Sequence, residues 1–197
     1  FVFEKAPLSM IRVYTDGAWM FETLIQKETD AAKKKEYFDK LMSIYDKRLA
    51  NLDALNSFAT PKTTSTKGNI ICRKAYDYYY FCPTMDSETA YKMFKEGIND
   101  MGPNTEAFVL YAFMDCSYRR YMANKANTDI RQEFIQDYML TNDICDRLLE
   151  QAKEYPSETI PADPESEDST KWVEQIKLHP EAEKIITAYQ PTQTQAN

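Results

Sequence analysis

Three candidate helical hairpins in succession, over roughly 9–51, 66–101 and 104–154, constrain this chain more than any other feature. Each pairs a helix carrying small and aromatic residues with a more charged one. A two-helix unit cannot bury its own apolar face, so consecutive units stack into a curved solenoid with a long groove. The expected class is all-α, a solenoid of about three hairpins. Architectures of this kind bind other proteins far more often than they catalyse reactions.

The hairpins rest on helical spacing. In the first, Met10, Val13, Tyr14, Gly17, Ala18, Phe21, Leu24 and Ile25 recur in steps of three and four. Thr29 reads as the next N-cap, with Asp30 placing a carboxylate in the first turn, and Tyr37, Phe38, Leu41, Met42, Tyr45 and Leu49 continue the pattern. Lys33-Lys34-Lys35 reads as a solvated face. Residues 53–65 read as a loop. The run Ala75-Tyr76-Asp77-Tyr78-Tyr79-Tyr80-Phe81 is expected to be helical, because it lacks the alternating polarity of a strand. Its rings project all round the helix, so it should be covered on more than one side. Pro83 stops it, and Asp86 or Ser87 caps the next helix. Gly102-Pro103 marks a break. Asn104 or Thr105 opens the third hairpin, and Thr128 caps the longest helix, about 129–154.

Beyond the repeat region (1–154), Pro156, Pro161 and Pro164 stand among Glu, Asp and Ser, so 155–170 reads as an acidic linker. A terminal helix is expected over 171–189, divided by Pro180 and capping the last hairpin, followed by a disordered tail, 190–197.

Composition narrows the function. A net charge of −7 argues against the basic surface of a nucleic-acid binder. No apolar run approaches the ~18 residues of a membrane span. The chain opens on Phe1-Val2-Phe3 without Met, so residues are expected to have been removed ahead of it, and a cleaved signal or lipoprotein leader would not show in the sequence. Cys72, Cys82, Cys116 and Cys145 form no CxxC pair; free buried thiols are the favoured reading, with a Cys116–Cys145 bridge across one hairpin the alternative. His179, the single histidine, reads as exposed or satisfied rather than as a ligand. No GxGxxG or Walker A run occurs, and neither a metal nor a cofactor is expected. Asp77 and Asp115 stand among apolar residues, and paired acids are the machinery of glycoside hydrolysis when held at the right separation. Their plainer role is to bond a tyrosine or cap an element.

The second hairpin resembles the tetratricopeptide repeat (TPR). Ile71, Ala75 and Tyr78 take its bulky, small and aromatic places, Ala90 and Phe94 give its Ala-x3-Phe, and Pro103 closes the unit. Lys74 stands where the pattern wants Leu. Tyr14, Ala18 and Phe21 echo the first helix in one neighbouring unit, Phe108 and Ala112 in the other. The resemblance implies a right-handed TPR-like solenoid whose first helices line the groove. By position Tyr76, Tyr79 and Tyr80 would face that groove from the second hairpin, and Phe113 and Ser117 from the third, with packing between hairpins the plainer role for any single ring. Arg119-Arg120 reads first as a surface pair, with charge for a peptide carboxylate the alternative.

The opening, with Phe1-Val2-Phe3-Glu4-Lys5-Ala6-Pro7, Lys27-Glu28-Thr29-Asp30 and Leu41-Met42-x-Ile44-Tyr45-Asp46-x-Arg48, is similar to TPR-like cell-envelope proteins of anaerobic gut bacteria. That resemblance implies export to the periplasm or outer membrane, a truncated first hairpin, and a role in protein interaction. The expectation is thus a non-enzymatic scaffold binding a peptide or partner domain in its groove. A structural subunit of an envelope assembly and a helical carbohydrate-active enzyme using paired carboxylates are the alternatives.

Overall fold

The computed structural model describes residues 5–59 and 64–153, and the backbone of 158–160 and 175–177. Seven helices dominate it: α1 (Arg12–Lys27), α2 (Ala31–Ala50), α3 (Leu52–Ser57), α4 (Lys67–Phe81), α5 (Ser87–Met101), α6 (Ala107–Ala123) and α7 (Thr128–Lys153). Among the described residues the chain is all-α apart from one short ladder. In it β1 (Glu158–Ile160) and β2 (Gln175–Lys177) run antiparallel, with Thr159 opposite Ile176.

Helix starts follow side-chain chemistry. Thr66 accepts from the Asn69 amide and Asp86 from the Thr89 amide, so both act as N-caps. Two caps sit one residue away from the expected position. Asp30, not Thr29, accepts from the Lys33 amide, because Glu28 holds the Thr29 and Asp30 amides in an extended turn. Asn127, not Thr128, receives the Asp129 and Ile130 amides. Gly102 ends α5 at φ 53°, where a side chain would be strained, and a 3-10 turn through Asn104 follows, so α6 starts later than expected.

Three other expectations are corrected. Part of the loop predicted over 53–65 is α3, which buries Leu55 and so has an apolar reason to coil. Within the helix predicted over 171–189, Gln175–Lys177 is strand. Thr159, Ile160 and Ile176 are β-branched, and Pro180 lies too close behind Lys177 for a helix to propagate. Glu158–Ile160 likewise puts a strand inside the expected linker. The remainder of 155–189, His179 and the tail 190–197 lie outside the described residues.

Each hairpin packs on the next. α1 lies on α2, α4 on α5, and α6 on α7; α2 and α5 then contact α4 and α6 of the following hairpin, while α1, α4 and α6 touch in series. Two apolar clusters result. One gathers Tyr14, Ile25, Leu41, Ile44, Leu55 and Ile70; the other gathers Phe94, Ile98, Val109, Leu110, Phe113 and Ile144. Burying each large apolar side chain contributes about 1.5–3 kcal/mol. The tyrosine-rich α4 joins the clusters and is covered on several sides. Tyr78 packs on Phe38 of α2, Tyr79 on Phe94 of α5, and Tyr76 on Phe108 of α6.

The α4–α5 contact is close because glycine makes it so. A Cβ at Gly97 would come 2.6 Å from Cys72 Sγ and 2.9 Å from the Cys72 amide nitrogen. In an open helix Gly→Ala stabilises by about 1 kcal/mol. Here Gly97→Ala is expected to destabilise by about 1–3 kcal/mol, since the backbones have to separate. A thermal melt decides it, and a raised midpoint would remove the close-packing argument.

All four cysteines are free among the described residues, so the Cys116–Cys145 bridge is not formed. Burial pushes the thiols of Cys72, Cys116 and Cys145 up to about 12, which leaves them unreactive hydrophobes.

Candidate functional site

The serial contact of α1, α4 and α6 creates one continuous helical face. On α4, Asn69, Arg73, Tyr76 and Tyr80 are each partly or fully open and follow one stripe. On α6 the matching stripe is Phe108, Tyr111, Asp115, Tyr118 and Arg119. Tyr76 and Tyr80 lie one turn apart with ring centroids at 4.6 Å, and Phe108 meets Tyr76 edge-on at 5.1 Å. Tyr80 is 44% exposed. Burial by its neighbours still pushes its hydroxyl up to about 12 and raises that of Tyr76. The phenols are therefore neutral donors at physiological pH.

Charge is arranged round these rings. Arg73 Nη2 donates to both Glu106 oxygens at 2.9 and 3.1 Å, while its guanidinium lies 5.3 Å above the Phe108 ring. Asp115 accepts from Arg119 Nε at 2.9 Å and from Tyr79 Oη at 2.6 Å. Asp77, buried beneath Tyr76, accepts from Tyr45 Oη at 2.6 Å. Its other close neighbour is the Glu22 carboxyl of α1. Burial, with Glu22 adding to it, raises Asp77 to about 7, although the Tyr45 hydrogen bond opposes the shift. The two acids singled out in the sequence thus serve different tyrosines, and the carboxyl facing Asp77 is Glu22.

Of the five expected groove residues, the face includes two, Tyr76 and Tyr80. Tyr79 points inward, 8% exposed, with its hydroxyl held by Asp115 and pushed well above the ordinary phenol range by burial. Phe113 is wholly buried between Tyr91 and Phe94. Ser117 is buried too and donates to Asp137 Oδ2 at 2.6 Å. These three build the core because α5 and α7 cover the sides of α4 and α6 on which they stand. Arg120 is corrected as well. It is 8% exposed, donates from Nε to Glu88 at 2.6 Å and from Nη1 to Glu133, and stacks on Tyr91 at 4.3 Å. Only Arg119 of the expected pair is open to solvent.

Comparison with known proteins supplies no relative. No protein-family model, curated protein or solved structure matches the chain.

A cleft of about 430 Å³ lies away from the aromatic face, lined by Leu8, Met10, Ile11, Leu55 and Phe58, and among the described residues no carboxylate lines it. Among the described residues no three His, Cys, Asp or Glu side chains form a group able to hold a metal. No helix there is long and apolar enough to cross a membrane. Arg73, Phe108, Glu106 and Glu22 were missed by sequence reasoning. For Arg73 and Phe108 a signal existed, since Arg73 lies three residues before Tyr76 and Phe108 shares a helical stripe with Tyr111 and Asp115.

Proposed function

We propose that this chain is a non-enzymatic interaction scaffold, a TPR-like right-handed solenoid that docks a peptide or partner domain along the face of α1, α4 and α6. The single observation that carries this reading is the open aromatic surface of Tyr76, Tyr80 and Phe108, on helices that contact one another in series. Tyrosine suits such a role, because its large ring has few rotamers to freeze and carries a polar tip. The nearest-neighbour order of the hairpins supports the solenoid reading, since each unit finds its apolar partner in the next. Placement in a bacterial envelope rests on the resemblance of the opening residues to TPR-like envelope proteins.

One observation favours a second reading, a helical carbohydrate-active enzyme: Asp77 and Glu22 are adjacent acids, and one of them is raised to about 7. Against it, Asp77 is 4% exposed and Tyr45 occupies Oδ2, whereas a general acid must reach the glycosidic oxygen. The scaffold reading accounts for more of the surface.

The test is affinity capture from an envelope fraction by the wild type and by a Tyr76→Ala/Tyr80→Ala variant, both confirmed helical by circular dichroism. Removal of two anchor rings is expected to cost about 2 kcal/mol or more, a drop of at least ~30-fold in affinity for the captured partner. Equal retention would place the contact elsewhere, as in a structural subunit held by its other faces. Hydrolysis of a glycan by the wild type, abolished by Glu22→Gln, would replace the scaffold with the enzyme.

A further inference from the structure

The charges on the aromatic face do not balance. The acids at its surface, Glu22, Glu106 and Asp115, outnumber the cations Arg73 and Arg119, and Asp77 lies buried beneath them. Arg73 is engaged by Glu106 and Arg119 by Asp115. Glu22 and Asp77 are left facing each other beside Tyr76, with no cation of their own within ion-pair distance among the described residues. Asp77 is closed in, but Glu22 is only half-buried, so its carboxylate is within reach of an incoming group. The whole chain carries −7, which adds to the negative potential at long range.

The face already shows how it receives a cation. Arg73 lies over the Phe108 ring with its guanidinium nitrogen on the Glu106 carboxylate, a ring and an acid used together. One helix toward α1, the Glu22 carboxyl lies close enough to Tyr76 to help raise its hydroxyl, an acid beside a ring with no ion pair to Glu22 among the described residues.

We propose that the segment docking on this face is basic, a peptide whose Lys or Arg side chain lies between Glu22 and the Tyr76 ring while its apolar side chains cover Tyr80 and Phe108. The proposal rests on the scaffold reading and adds the chemistry of the partner. An acidic or phosphorylated segment would face uncompensated carboxylates. A neutral one would leave the Glu22 carboxyl covered and without a cation, which costs affinity. Complementary charge also predicts faster capture at low ionic strength.

The experiment is selection from a random dodecapeptide display library on the wild-type chain, on Tyr76→Ala/Tyr80→Ala and on Glu22→Gln. The expected result is that wild type enriches peptides in Lys and Arg and the tyrosine variant enriches none. A synthetic winner should lose roughly tenfold in affinity on Glu22→Gln, or on replacing its basic residue by Gln, and the loss should shrink in high salt. Enrichment that needs Tyr76 and Tyr80 but shows no basic preference would overturn the proposal and leave the scaffold standing. Enrichment that is the same with and without the two tyrosines would overturn both, as would no enrichment at all.

Discussion

Asp137→Ala is expected to lower the unfolding free energy by about 3–5 kcal/mol, the cost of removing one partner from a buried charge pair. Asp137 is wholly buried on α7. Its Oδ1 accepts from Lys95 Nζ at 2.8 Å and Tyr91 Oη at 3.3 Å, both on α5, and its Oδ2 accepts from Ser117 on α6. One carboxylate therefore ties three helices together. Without it the Lys95 ammonium, 5.9 and 5.7 Å from the Tyr91 and Phe113 ring centres, keeps the rings but loses its counter-charge. Two hydroxyls lose their acceptor as well. Asp137→Asn keeps one acceptor oxygen and should cost about half as much, since hydrogen bonds to a charged group are worth roughly 1.5–3 kcal/mol. Urea denaturation of the three chains is the measurement. A loss below about 1 kcal/mol for the alanine variant would mean that solvent, not Asp137, satisfies Lys95.

How Asp137 escaped notice shows where a sequence stops being informative. Its own helix was legible, because Ile130, Phe134, Ile144 and Leu148 recur at helical spacing. Its partners stand on two other helices, and no spacing rule links Lys95, Ser117 and Asp137. The same holds for Glu22 and Asp77, brought together only when α1 settles beside α4. Local signals fared better. Thr66 and Asp86 are caps that a reader can find, since a cap depends on amides two or three residues away. The tyrosine run is legible as helix because its polarity does not alternate. Which of its rings face outward is harder to read. Successive helical residues are about 100° apart, so Tyr79 and Tyr80 cannot share a face. The choice between them is made by Phe94 and Asp115, which lie on other helices. Phe113 and Ser117 failed as groove residues for the same reason. Strand β2 failed differently: its three residues stand where a helix was expected, and they gain their backbone partners only from β1, in the proline-rich segment read as a linker.

Stability is expected to fall as pH rises from about 4 to about 7, and Asp77→Asn is expected to abolish that part of the profile. In the unfolded chain Asp77 titrates near its ordinary value of 3.8; folding buries it and raises it to about 7. Between those values the folded state holds a proton that the unfolded state has released. The stabilising contribution is therefore complete below the unfolded value and is lost as pH climbs through the folded one, at most about 1.4 kcal/mol per pH unit. Among the groups facing Asp77, Glu22 on α1 adds to burial in opposing its ionisation, while the Tyr45 hydroxyl on α2 that donates to it and Arg73 on α4, itself engaged by Glu106, favour the charged form without overcoming burial. Other carboxylates act in the opposite direction. Glu28 is held low by the Asp30 and Thr29 amides and Asp86 by the Thr89 hydroxyl and amide, so their contributions vanish at acid pH. The informative quantity is therefore the difference between wild type and variant, from urea denaturation at pH 4 to 8. The amide introduced by Asp77→Asn keeps an acceptor for Tyr45 and carries no charge, so the two chains should be nearly equal at pH 4 and the variant more stable at pH 8. A difference that is flat with pH, or that favours wild type at pH 8, would mean that Asp77 ionises freely in the fold. In that case the seam where α1, α2 and α4 meet would hold two carboxylates at neutral pH, and Glu22 and Asp77 together would demand a cation more strongly than Glu22 alone.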